Sequence, residues 1–131
     1  MSQVQPSAQQ MKDLSALSDT GPIVMVNLLK FRETAVNGKE SGDKAYTRYM
    51  FNVAPLLEKA GGRLLWMGLV KQVFIGTDMD NWDRVLLVEY PSRQAFLDMI
   101  SKPEYQKVHQ DREAGLETSA LLVAKTEAGT I

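Results

Sequence analysis

The run Arg63-Leu64-Leu65-Trp66-Met67-Gly68-Leu69-Val70-Lys71-Gln72-Val73-Phe74-Ile75 decides how the chain is read. Successive side chains of a β-strand point to opposite faces of the sheet. Here one set is Leu64, Trp66, Val70 and Phe74, and the other is Leu65, Met67, Leu69, Val73 and Ile75. Both sets are apolar, so the strand needs cover on both faces. The helices of one small chain cover one face, and the second demands something else. A second copy of the chain is the simplest cover. Gly68 inside the run predicts a bulge or a close backbone approach.

Upstream, Gly61-Gly62 suits the end of a helix, because glycine takes the left-handed conformation common there. Tyr46, Met50, Val53, Leu57 and Ala60 form one stripe of that helix, from about Asp43 to Ala60, and Pro55 should kink or divide it. Residues 32–42 read as a solvated loop. The near-continuous apolar run Ile23 to Phe31 before them reads as a buried strand with polar Asn27 in its middle. Ala8, Met11, Leu14 and Leu17 mark a short amphipathic helix ending before Thr20-Gly21-Pro22.

Downstream, residues 76–81 are a turn by composition, so Arg84 to Tyr90 should pair antiparallel with the deciding run as a hairpin. Ser92 is a good N-cap for a helix carrying Ala95, Phe96, Met99 and Ile100. Pro103 suits the first turn of a further helix with Tyr105, Val108 and Arg112 on one side, and Leu121 to Lys125 supplies the last strand. The order is β-α-β-β-α-β plus an N-terminal helix. That is an α+β, split βαβ pattern: a four-stranded antiparallel sheet with helices on one face. Residues 1–20 read as an extension, 21–126 as the domain and 127–131 as a tail.

The 131 residues, 44% hydrophobic and 24% charged, suit one globular domain. Fifteen Lys and Arg against 16 Asp and Glu leave a net charge near −1 with no basic cluster, which argues against nucleic acid as a partner. Without Cys, disulfides and thiolate chemistry are excluded, and a single His makes a conventional zinc site hard to build. The polar first ten residues carry no signal-peptide core, and the longest apolar run, Leu64 to Val70, is too short to cross a bilayer, so a cytoplasmic protein is expected. No phosphate loop, nucleophile elbow, paired-His motif or dinucleotide fingerprint is present.

Asp43-x-x-Tyr46-x-x-Tyr49, Gly61-Gly62-Arg63 leading to Gly68, Arg84, Glu89-Tyr90-Pro91-Ser92, and Pro103-Glu104-Tyr105-Gln106 with Arg112 together resemble the DUF1330 family, within the dimeric α/β-barrel superfamily. The resemblance runs from about Ile23 to Lys125. It implies a ferredoxin-like fold, a homodimer whose two sheets face each other as a barrel, and a ligand cavity between each sheet and its own helices. Met67 and Ile75 depart from the family's commoner pattern, where related chains often carry Arg and Glu, which implies a less polar pocket. No activity follows. The wider superfamily holds cofactor-free monooxygenases, haem-degrading monooxygenases, small-ring isomerases and chlorite-decomposing haem proteins, and a fold does not choose among them.

His109 is the one side chain whose ordinary pKa lies near neutrality. It reads either as a boundary histidine four residues from Tyr105 or as a functional group. By likeness to the haem-degrading relatives, Asn27 and His109 fall where those enzymes place a catalytic Asn and an axial His. Met99 stands where they carry a Trp, so one of three defining residues is missing. Asn27 is either a structural hydrogen bonder or a ligand-orienting group, since a buried amide without partners costs about 1–3 kcal/mol. Arg84 and Glu89, five residues apart on one strand, point to opposite faces, and Glu89 is expected to pair with Arg63 or Arg112. Trp66 reads as core or barrel lining, and Trp82 as cover for a pocket mouth or for the partner chain.

The candidate catalytic residues are therefore Asn27 and His109. The candidate ligand-binding residues are Tyr49, Trp66, Met99, Tyr105, Arg84, Glu89 and Arg112. The leading expectation is a homodimer that binds a small apolar or aromatic molecule without a cofactor, with cofactor-free catalysis on a small aromatic or apolar acid as its extension. A haem-binding monooxygenase using Asn27 and His109 is one alternative. A purely structural dimer is the other.

Overall fold

The protein's fold was taken from a computed structural model, which describes residues 4–17 and 20–129. Helix α1 (Ala8–Ala16) starts at a reciprocal cap between Ser7 and Gln10. Strand β1 (Ile23–Phe31) leads to helix α2 (Gly42–Lys59), capped by the Ser41 hydroxyl accepting from the Lys44 amide. Helix α2 ends at Gly61, whose φ of 79° is the left-handed conformation expected there. Strands β2 (Arg63–Leu69) and β3 (Arg84–Tyr90) follow, then helices α3 (Arg93–Ile100) and α4 (Pro103–Gly115) and strand β4 (Leu116–Ala124). Ser92 caps α3 and Pro103 opens α4, as the sequence predicts.

The four strands form one antiparallel sheet in the order β2-β3-β1-β4, with the helices on one face. This is the α+β, ferredoxin-like arrangement with an added N-terminal helix. Ile23, Met25 and Leu29 of β1 and Leu86, Val88 and Tyr90 of β3 meet Tyr46, Tyr49 and Val53 of α2 in the core. Register places Val26, Leu28, Val85, Leu87, Trp66 and Leu122 together on the opposite face. Among the described residues nothing covers that face fully: Trp66 is 49% exposed and Leu122 is 52% exposed.

Three local expectations are corrected, and the two alternatives at Gly68 are decided. Strand β2 stops at Leu69, not Ile75, because its partner β3 begins at Arg84, opposite Leu69; residues 70–83 form a long connection with a 3-10 turn at Asp78–Asp80. The bulge falls at Leu65 rather than Gly68, between the pairs Leu64 with Val88 and Trp66 with Leu87. One extra residue moves every later side chain to the other face, so Trp66 leaves the set that begins with Leu64. Gly68 is instead the close approach, since a Cβ there would strike the Trp66 ring. Strand β4 starts at Leu116, five residues before Leu121, and Pro55 lies within one unbroken α2.

Candidate functional site

Between the sheet and its helices lies a cavity of about 930 Å³. Met25, Asn27, Leu86 and Leu121 form part of its sheet wall, and Tyr46, Tyr49 and Met50 part of its α2 wall. Phe96 and Ile100 of α3 and Tyr105, His109 and Arg112 of α4 continue the wall, and Val4 to Pro6 with α1 complete it. The N-terminal segment thus belongs to the pocket. Arg112 fastens it, donating from Nη1 to the Val4 carbonyl over 2.7 Å, and Gln5 bonds to Glu113.

A hydrogen-bonded string runs through the wall. The Tyr49 hydroxyl lies 3.1 Å from the Tyr105 hydroxyl, which lies 3.1 Å from His109 Nδ1. Spacing sets this up: Tyr105 and His109 are one turn apart on α4, and α2 packs beside α4 with Tyr49 facing them. His109 Nε2 is buried 3.2 Å from Glu113 Oε1 at an angle that makes no hydrogen bond. Burial lowers the His109 pKa and the Arg112 charge adds to this, against an opposing pull from Glu113, so the imidazole is neutral at pH 7. Burial likewise raises the phenols. Tyr46 is pushed up to about 12, Tyr49 is raised well above its ordinary value, and Tyr105 is raised too. One proton order satisfies all of this: Tyr49 donates to Tyr105, Tyr105 donates to Nδ1, and Nε2–H faces Glu113. Such a string can pass a proton from a ligand beside Tyr49 to a neutral imidazole without moving a heavy atom.

Asn27 and His109 line the same cavity. Asn27 Nδ2 donates to the Met25 carbonyl over 3.2 Å, while its Oδ1 accepts no hydrogen bond among the described residues. Tyr49, Tyr105 and Arg112 line the cavity as well. The other four candidates lie elsewhere, for identifiable reasons. Trp66 is turned to the outer face by the Leu65 bulge. Met99 is 3% exposed in the core behind the wall. Arg84 lies 3.4 Å from Asp43 and stacks on Phe31, and Glu89, on the outer face, pairs with Arg63 at 3.0 Å. Sequence reading passed over Tyr46, Tyr90 and Phe96 as pocket residues; the Tyr46-x-x-Tyr49 spacing, which puts both phenols on one helical face, was the available signal.

The haem alternative needs an imidazole nitrogen open to the cavity. Nδ1 is taken by Tyr105 and Nε2 is buried 3.2 Å from Glu113, so neither nitrogen is open to serve as an axial ligand.

A family model described as a domain of unknown function, DUF1330, matches residues 37–126. The chain belongs to this family. No curated protein matches it. Among solved structures, the chain is similar to a protein of unknown function from Rhodopseudomonas palustris, 32% identical, with a TM-score of 0.91 over 98% of this chain and 100% of that one. It is also similar in fold to a dimeric protein of unknown function with a ferredoxin-like fold from Bacteroides fragilis, at 14% identity and a TM-score of 0.54 over 80% of this chain and 96% of that one. A dabb family protein with a ferredoxin-like fold from Mesorhizobium loti, 13% identical, gives a TM-score of 0.51 over 82% of this chain and 99% of that one. These likenesses agree with the βαββαβ order read from the sequence. Among the described residues no helix is long and apolar enough to cross a membrane.

Proposed function

We propose that this DUF1330 protein is a homodimer in which each chain binds one small apolar or aromatic molecule between its sheet and its helices. The observation that carries the reading is the cavity, which brings a mostly apolar wall and the Tyr49–Tyr105–His109 string to one place. A space of about 930 Å³ suits an organic molecule rather than an ion. Tyr49, Tyr105, His109 and Arg112 converge on it, an arrangement that orients a ligand. The uncovered apolar sheet face supports the dimer, as does the dimeric state of the Bacteroides fragilis protein of like fold.

Calorimetric titration with 2-naphthol tests the pocket. One molecule should bind per chain, and Leu121→Trp, which places an indole at a wall position 40% exposed, should abolish binding while the far-UV spectrum is kept. Binding that survives the blocked wall would place the ligand elsewhere, and no binding at all would refute the reading.

A further inference from the structure

We propose that Arg112 is the anchor for a negatively charged group, so that the ligand of this cavity is an apolar or aromatic carboxylate. The inference rests on the cavity's being a ligand site and goes further by naming the charge of what it holds.

Arg112 is 6% exposed and is the one buried charged residue among those described. An ion taken out of water is disfavoured by several kcal/mol unless an opposite charge and hydrogen bonds compensate it. Here the compensation from the chain is thin. Among the described residues no carboxylate forms an ion pair with Arg112, and its one hydrogen bond is to the neutral Val4 carbonyl. Glu113, the next residue, faces His109 Nε2 and Gln5.

The groups that feel the Arg112 charge include Tyr46, Tyr49, Tyr105 and His109, all uncharged at neutral pH. A guanidinium carries five N–H donors in a planar fork that matches a carboxylate in two parallel bonds. Arg112 thus has donors to spare at the wall of an apolar cavity. A carboxylate with an apolar body meets both needs: its head supplies the missing counter-charge, and its body fills the space between Leu86, Met50 and Phe96. The Val4 carbonyl holds one donor in the absence of such a head, so the N-terminal segment and the ligand share the same guanidinium.

The test compares two probes of one ring system at neutral pH, anionic 2-naphthoate and neutral 2-naphthol. Wild-type protein should bind naphthoate about 10- to 100-fold more tightly, the span of a charge-assisted hydrogen bond. Arg112→Gln should erase that preference, so that the variant binds the two probes alike. Equal binding of the two probes, or a preference that survives Arg112→Gln, would overturn the anchor while leaving the pocket standing. Failure of both probes to bind would remove the pocket and the anchor together. Should Arg112→Gln not fold, the Arg112 Nε–H resonance of the wild type decides: naphthoate must shift it more than naphthol does, and an equal response to both overturns the proposal.

Discussion

His109 is neutral in the fold because its ring is buried and Arg112 stands nearby, and that sets a direction for stability against pH. Well above the ordinary imidazole value of about 6.5, folded and unfolded chains hold the ring in the same state. As pH falls through about 6.5 the unfolded chain takes the proton first, so stability drops until the lowered folded value is reached. Urea unfolding should therefore show a lower midpoint near pH 5.5 than near pH 7.5, and the difference should shrink in His109→Gln; an equal drop in the variant would show that other groups cause it. The pairing of His109 with Tyr105 was legible, since four residues on a helix make one face. Arg112 was legible as a helical residue but not as a lone cation. Its partner Val4 is 108 residues away, and nothing local in either segment encodes the bond.

Helix α2 keeps Pro55 in its interior, where the ring removes a backbone donor and crowds the preceding turn. The site is exposed, so Pro55→Ala should stabilise by about 1–2 kcal/mol, read as a rise in melting temperature. The opposite effect is expected where α2, β1 and the α4–β4 junction cross. Gly42 and Gly115 face one another there: a Cβ on either would press on the other's carbonyl oxygen, and the Arg32 amide donates to the Gly115 carbonyl over 2.8 Å. Gly115→Ala should cost about 3 kcal/mol by chemical unfolding, since backbone cannot rotate aside as a side chain does. Strands β1 and β3 were readable to the residue because Pro22 and Pro91 punctuate them. The far ends of β2 and β4 were not. Residues 71–75 look like strand but pair with no strand among the described residues, while the polar Thr118 and Ser119 look like loop and yet pair with β1.

At the level of the whole molecule, the row Val26, Leu28, Val85, Leu87, Trp66 and Leu122 is the surface on which a second chain is proposed to lie. Light scattering at micromolar concentration should give twice the chain mass, and Trp66→Glu should give the single chain with its secondary structure intact. A monomeric wild type would refute the dimer without touching the cavity. The alternation of residues 63–75 made the two-sided sheet visible in advance; the Leu65 bulge, invisible in the sequence, decided which side Trp66 serves. That division also sorts the chromophores. All four tyrosines of the chain line the cavity, whereas neither tryptophan does, and Trp66 lies across the sheet on the outer face. Red-edge excitation, which selects indole, would therefore report the proposed association of chains through Trp66, and tyrosine difference absorbance the proposed occupancy of the cavity. The molecule carries two spectroscopically separable gauges, and neither needs an added label.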